Sequence, residues 1–380
     1  MTLVSEKNIL KCPFSNNKSF EKLFEFKKFP IYMGVVEKNF KPEYKNMTFN
    51  INKKTGSVQI YPRVPLRKLY FKSHGSGTIG STWKMHHKAF FNFVKPHFKN
   101  IVMEIGGGHN SISKNLKNKN LNDKIKLITF DPNGKKINKK HKLIKNFFHK
   151  KLVKNYINNT DLVVHSHLFE HIFEPVDFLK LINKILNNNG KHIFSIPNLK
   201  KMISMQQSNA MNFEHPYFLE ESLVDKLLLN NGFKIVRKIY FKNHSIFYET
   251  KRKSKYKNLN YKKYTANKNL FLYFYNKIIK DIKKIQMIRK KINNPILLFG
   301  AHIFSQMIVF GSNINTKNFD GVIDNDKNKQ GKYLYGTKLK VYSPSIIKKL
   351  NKPYVVLRAG SYNEEIKKQI FQINKETRII

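Results

Sequence analysis

Short apolar runs rich in β-branched residues recur from about Asn100, at IVMEI, KLITF, DLVVH and KHIFSI, and amphipathic stretches separate them. Runs this short between turn signals read as strands, and the stretches between them as helices that bury one face. Strands that alternate with helices pair in parallel, because each crossover carries the chain back to the same end of the sheet. The chain is therefore expected to be α/β, built on a parallel sheet. A second α/β passage begins at PILLFGAH, Pro295 to His302, and continues to the last residue. At roughly 100–200 residues per domain, a chain of 380 residues makes two or three such bodies.

The remaining segments divide by composition. Residues 1–92 read as a small irregular region, in which strand-like pieces at Thr48–Ile51 and Ser57–Tyr61 stand among Lys, Asn, Gly and Pro, with a small-residue cluster from Ser73 to Ser81. Residues 93–250 hold the first α/β passage. From 251 to 294 the chain is rich in Lys and Tyr at helical spacing, as in NLFLYFYNKIIKDIKKIQMI. This stretch reads as a basic connecting helix whose aromatic residues pack. Residues 295–380 form the second α/β domain.

A formal charge of +48 invites a nucleic-acid reading. Only seven of the 72 basic residues are Arg, however, and Lys is spread along the whole chain together with Asn, Ile and Phe. An AT-rich coding bias produces that mixture, and Arg is the usual fork for bases and phosphates. The charge suits an anionic small molecule, such as a nucleotide-linked metabolite, with no specific nucleic-acid partner. A hydrophobic content of 41% with 13% aromatics excludes a mainly disordered chain. No run approaches the roughly 18–20 apolar residues of a membrane helix, and MTLVSEKNILKCPF lacks the basic-then-apolar order of a secretion signal. Cys12 is the one cysteine, which leaves no intramolecular disulfide and no Cys-rich zinc site. A cytoplasmic protein without a metal is expected.

The sharpest local signal is IVMEIGGGHN, Ile101 to Asn110. A strand ends at Glu104, and Gly106, Gly107 and Gly108 let the backbone turn tightly and bring amides close to a ligand. In KLITFDPNG, Asp131 ends the next strand, where a carboxylate can accept both hydroxyls of a ribose. A glycine turn without a ligand is the plain reading of the loop alone. The pairing with Asp131 fits an adenosine-containing cofactor, NAD or S-adenosylmethionine (SAM). The loop is E-x-G-G-G, not the G-x-G-x-x-G that seats a pyrophosphate. The next strand leads into HSHLFEHIFEP, His165 to Pro175, and LINKILNNNGKHIFSIPN follows. Together these blocks resemble the class I SAM-dependent methyltransferases. The resemblance implies a class I methyltransferase Rossmann-like core, flanked by the irregular N-terminal region and the second α/β domain. It places Glu104, Gly106, Gly107, Gly108 and Asp131 on the cofactor, with His167 the nearest candidate at the third strand end. Asn110 replaces the loop's last glycine. His171 has a plainer role, in which the Glu170–His171 pair caps the next helix and braces the fold.

Further blocks narrow the likeness. NFEHPYFLEESLVDKLLLNNGFKIV from Asn212, KNHSIF from Lys242, GAHIFSQMIVF, VIDNDKNKQGKYLYGTKLKVYSP and RAGSYNEEIKKQI resemble segments of the sugar C-methyltransferases, from about Tyr70 to the end. Those enzymes methylate nucleotide-linked keto-deoxysugars for antibiotics and surface glycans. Glu214, His215, Tyr217, Phe218 and Leu223 match the family's middle block. The departures are the N-terminal zinc-binding cysteines, of which Cys12 alone remains, and a family tyrosine replaced by Asn212. LYFKSHGSG corresponds to a second tyrosine-bearing segment, with Phe71 at the matching position and Tyr70 beside it.

Sulfonium methyl transfer needs a nucleophile in line with the methyl and a base for the proton that nucleophile loses. The resemblance implies His215 as that base, Glu214 as the carboxylate that orients its ring, and Tyr70 as a further active-site candidate. Three other readings stand beside it. Glu214–His215 can instead cap the helix that starts in PYFLEESL. The same cofactor loop can serve an O- or N-methyltransferase on another small-molecule or glycan precursor, or an inactive scaffold. The Lys-rich surface can bind nucleic acid, which would require Lys to cluster on one face with Arg and aromatic platforms.

Overall fold

A computed structural model of the chain describes residues 10–15, 17–69, 81–107, 112, 125–136, 141–253, 260–311 and 316–380. The chain divides into two compact units with interleaved segments. Met1–Lys18, Gly75–Lys201 and Leu219–Lys262 make the first unit, and Ser19–His74, Met202–Phe218 and Lys263–Ile380 make the second.

The second unit opens with β1 (Phe20–Pro30), β2 (Val35–Val36), β3 (Tyr44–Asn52) and β4 (Val58–Tyr61), of which β1, β3 and β4 pair as an antiparallel meander. The sequence reads as irregular here because β1 slips register twice, between Lys22 and Phe24 and between Phe26 and Phe29. Each slip breaks the two-residue alternation by which a strand is recognised. Phe24, Phe26 and Phe49 are nonetheless buried on one side of this sheet, with Phe24 and Phe49 stacked at 4.5 Å.

The first unit carries a helix at Ser81–Val94 and then a seven-stranded sheet. Its strands are β5 (Ile101–Ile105), β6 (Lys126–Phe130), β7 (Lys142–Ile144), β8 (Thr160–Ser166), β9 (Leu186–Pro197), β10 (Phe233–Phe241) and β11 (Ser245–Arg252). They lie in the order β10-β11-β9-β8-β5-β6-β7. The run from β9 to β7 is parallel, whereas β11 is antiparallel to both β9 and β10. A parallel sheet with one reversed strand inserted beside its edge is the class I methyltransferase arrangement, as the sequence blocks implied. From β5 the chain moves outward through β6 and β7, then returns to β8 on the other side of β5. That reversal opens a crevice at the carboxyl ends of β5 and β8, where ligands of such sheets bind. Phe90, Phe91 and Val94 of the first helix pack with Val102, Val164 and Phe247 beneath the sheet. The helix Pro175–Ile185 buries Phe178, Leu179, Ile182 and Ile185, an apolar stripe at helical spacing.

The second unit resumes with the helix Tyr264–Lys291, whose Phe271, Phe274, Ile278, Ile282 and Ile285 are buried while its Lys residues face outward. Tyr275 of this helix stacks on Phe24 at 4.5 Å, so its aromatic residues do pack. β12 (Ile296–Phe299), β13 (Gly321–Ile323), β14 (Tyr333–Leu334), β15 (Val341–Tyr342), β16 (Tyr354–Val356) and β17 (Arg378–Ile379) follow. All but β14 form a parallel five-stranded sheet in the order β15-β13-β12-β16-β17, and β14 pairs with β2. The helix Ile303–Phe310 is almost wholly apolar and buried, and its Gln306 donates to the carbonyls of Tyr32 and Tyr335 at 2.9 and 3.0 Å. Among the described residues, no helix is long and apolar enough to cross a membrane.

Candidate functional site

At the end of β5 the chain turns through Gly106, whose φ of 71° lies in the left-handed region that side chains avoid. Its N–H donates to Phe130 O at 2.8 Å, which ties the turn to β6. A Cβ on Gly107 would lie 2.7 Å from Thr129 Cγ2 and 2.8 Å from Glu104 Oε2, so only glycine fits. The loop backbone thus packs directly on the side chains of Glu104, Thr129 and Leu168.

Glu104 is fully buried under the loop. Burial pushes its carboxyl up to about 7, against hydrogen bonds from Thr129 and the Ile112 N–H that favour the charged form, and the nearby Asp131 pushes it further up. Thr129 Oγ1 donates to Glu104 Oε2 at 3.3 Å and stands 2.8 Å from Nε2 of buried His141. A hydroxyl has one proton, so a Thr129 that donates to Glu104 accepts from His141 Nε2–H. Neither Thr129 nor His141 stood out in the sequence. At the end of β6, Asp131 is 7% exposed, and its Oδ1 accepts the Asn133 N–H at 2.7 Å, which fixes the turn behind it.

His167 follows β8 with a φ of 48°, a left-handed conformation that costs a non-glycine residue about 1–2 kcal/mol. Three contacts hold it there. Its N–H donates to Ser195 O at 3.0 Å, Nδ1 lies 3.5 Å from Glu170 Oε1, and Nε2 lies 2.8 Å from Ser245 Oγ. Glu170 and His171 sit in a 3-10 turn, Phe169–His171, and the next helix has Glu174 at its N-cap position. The Glu170–His171 pair is therefore not that helix's cap, because the turn ends the segment short of it. Glu170 braces His167 instead.

Glu214 and His215 fall in the second unit, and Glu104, Gly106, Gly107, Asp131 and His167 in the first. Asn212 Oδ1 accepts the N–H groups of Glu214 at 2.7 Å and His215 at 3.3 Å, an Asx turn that sets both side chains. His215 Nδ1 is 3.3 Å from Ala210 O. A carbonyl can only accept, so Nδ1 presents a proton to it. The segment after it is pinned to β4, with Ile60 N–H donating to Pro216 O and Phe218 N–H to Val58 O. The helix in PYFLEESL starts at Glu221 with Glu220 at its N-cap position, so the Glu214–His215 pair does not cap it. The phenol of Tyr32 is pushed up to about 12 by burial and then by the Glu214 carboxylate, which puts a tyrosine beside that pair. Tyr70, Phe71, Gly108 and Asn110 lie outside the described residues.

The C-terminal sheet repeats the strand–glycine–helix turn at Gly300, with a φ of 95°, and an acidic residue, Asp324, after β13. Here the carboxylate is engaged by the protein itself. It accepts from Ala301 N–H at 2.8 Å and Asp326 N–H at 2.9 Å, and pairs with Lys329 at 3.1 Å.

Residues 86–238 match the family model for a methyltransferase domain, and residues 292–380 match one described as C2185-like, N-terminal. Among solved structures, the chain is similar to a SAM-dependent methyltransferase from Mesorhizobium loti, with 10% identity over 46% of this chain and 99% of that one and a TM-score of 0.35. It is also similar to the 1,6-didemethyltoxoflavin-N1-methyltransferase of Burkholderia thailandensis, with 10% identity, 52% and 96% coverage and a TM-score of 0.38; that protein was solved with S-adenosylhomocysteine. No curated protein matches the chain. Strand order and the crevice at the β5–β8 reversal define a class I methyltransferase fold. With the methyltransferase domain matched from β5 through β9 and into β10, the protein is an enzyme, a SAM-dependent methyltransferase. The glycine cradle and buried acidic pair fit SAM, since one leaves room at the backbone and the other favours a cationic ligand.

Proposed function

We propose that the enzyme C-methylates a nucleotide-linked keto-deoxysugar, with SAM held by Glu104, Gly106, Gly107, Gly108, Asp131 and His167. SAM supplies, when bound, a methyl group activated on a sulfonium sulfur. The backbone of Gly106 and Gly107 would lie against it, and Asp131 would accept from the ribose hydroxyls. Glu104 and the strained His167 would shape the floor and far wall of the crevice. His215 Nε2 would take the acidic proton next to the sugar's keto group, and Glu214 would set the ring's orientation. The observation that carries this reading is the Asx turn at Asn212, which fixes the backbone of Glu214 and His215 within the segment that resembles the sugar C-methyltransferases.

The substrate class is tested by mass spectrometry of the host's nucleotide-sugar pool with and without this protein. A precursor lighter by one methylene is expected to accumulate in its absence, and an unchanged pool would overturn the substrate. A second reading, O- or N-methylation of a related precursor, is favoured by Asn212 itself, which supplies a turn where the family carries a phenol. Locating the added methyl on carbon or on a heteroatom by NMR of the product separates the two. For the base, His215→Ala is expected to lower turnover by ~10²–10⁴-fold with SAM affinity nearly unchanged. A lowered melting temperature with turnover of the folded fraction intact would show a structural histidine instead.

The cofactor assignment has its own test. Asp131→Ala removes charge-assisted hydrogen bonds of roughly 1.5–3 kcal/mol, so calorimetry is expected to show SAM binding weakened about 10- to 100-fold. Equal affinity for NAD, or no loss on the change, would contradict it.

A further inference from the structure

Three histidines on separate elements of the first unit converge on one point. His86 comes from the helix Ser81–Val94, His167 follows β8, and His244 stands in the turn between β10 and β11. Their ring centroids are 5.0 Å apart for His86–His167, 5.4 Å for His86–His244 and 5.3 Å for His167–His244. One nitrogen from each lies within 4.8 Å of the other two. Three imidazoles bound tetrahedrally to one zinc ion, each at ~2.0–2.1 Å, place their ring centres roughly 5 Å apart. The triangle already has that size.

A second observation points to a ligand. His86 is 0% exposed, and neither of its ring nitrogens has a hydrogen-bond partner. An imidazole always presents a donor or a lone pair at each nitrogen, and a buried ring with both unmet has a nitrogen to give to an ion. His167 Nδ1 faces the buried Glu170 carboxylate at 3.5 Å, the outer partner that commonly orients a metal-bound imidazole. Ser245 Oγ stands 2.8 Å from His167 Nε2 and 2.5 Å from His244 Nδ1, so a metal ion on His167 Nε2 would take the place of that hydroxyl, which would stay on His244 Nδ1.

We infer that His86, His167 and His244 form a binding site for a divalent transition-metal ion that favours imidazole, with zinc as the probe. Three protein nitrogens would leave a fourth position for water or another oxygen ligand. The expectation of no metal rested on the cysteine count and on the lack of local ligand spacing. A three-histidine site needs neither thiolate nor neighbours in sequence. The site does not depend on the methyl-transfer reading.

The chain's one tryptophan, Trp83, reports on it directly, since its ring lies 5.4 Å from His86, 4.8 Å from His167 and 4.7 Å from His244. Full-length protein prepared without a histidine tag and treated with chelator would be titrated with cobalt(II), then zinc(II). One equivalent of cobalt is expected to quench Trp83 and to produce the visible absorption of tetrahedral cobalt, which zinc then reverses. His86→Gln should weaken binding by about tenfold or more, and His244→Ala, in a partly exposed turn, should do the same if the buried variant fails to fold. Asp131→Ala should leave metal affinity unchanged, which shows that the histidines hold the metal without the cofactor's carboxylate, although His167 borders both. No saturable binding at micromolar metal, or binding undiminished in a folded His244→Ala protein, would overturn the site.

Discussion

Glu104 occupies an unusual position, a carboxyl buried under a glycine loop and held at about 7 by that burial. In the free protein it is therefore largely protonated below pH 7 and ionised above it. A cationic ligand in the crevice prefers the ionised form, so binding below pH 7 must first release a proton. SAM affinity is expected to rise as pH climbs from 6 to 8, by up to about tenfold per unit below the midpoint. Calorimetry at three pH values in the wild type and in Glu104→Gln measures it, and an equally steep profile in the variant would show that another group is responsible. Much of this site was legible residue by residue. Gly106, Gly107 and Asp131 stand in short segments whose chemistry is local. The Thr129–His141 support of Glu104 was not, because those side chains meet only when β6 is laid between β5 and β7.

At the scale of elements, the loop around Asn212 shows how a substitution that looks like a loss becomes a device. Where the sugar C-methyltransferases that this segment resembles have a tyrosine, Asn212 closes an Asx turn on the N–H groups of Glu214 and His215. Asn212→Ala leaves the Glu214 N–H without its side-chain acceptor, at a cost of about 1–3 kcal/mol, and loosens the turn that carries His215, whose own N–H keeps the Asn212 carbonyl at 3.0 Å. Both a lower melting temperature and reduced turnover are expected, with Asn212→Asp, which keeps the accepting oxygen, restoring most of each. Full turnover in a folded Asn212→Ala protein would show that the turn does not position the base. The meander β1, β3 and β4 is the element least visible beforehand, because two register shifts in β1 hide its alternation. The helix Tyr264–Lys291 was visible, since its apolar stripe recurs without interruption.

Across the whole molecule, the imidazoles in the core set the acid limit of stability. His165 and His192 are completely buried side by side, Nε2 to Nε2 at 2.9 Å. Burial lowers His165 to about 3 and His192 well below the usual range, so the folded chain keeps both neutral while the unfolded chain protonates them near 6.5. Unfolding takes up protons in that window. Stability is thus full above about pH 6.5 and falls as pH drops towards 3, by up to about 1.4 kcal/mol per unit for each histidine. Urea denaturation between pH 7 and 4 measures the slope, and replacing both rings by leucine should flatten it; an unchanged slope would place the acid sensitivity elsewhere. By itself the sequence determined the α/β class, the class I core, the glycine loop and its acidic partner, because strand runs and turns are written in contiguous residues. The tertiary structure alone decided that His167 is braced by Glu170 and Ser245, that Asn212 sets His215, and that His86 and His244 meet at His167. His86, His167 and the His244–Ser245 turn are distant along the chain, and only strand order and helix placement bring them within reach of one another, whereas the Glu170 brace and the Asn212 turn act over a few residues through local backbone geometry that no residue pattern spells out.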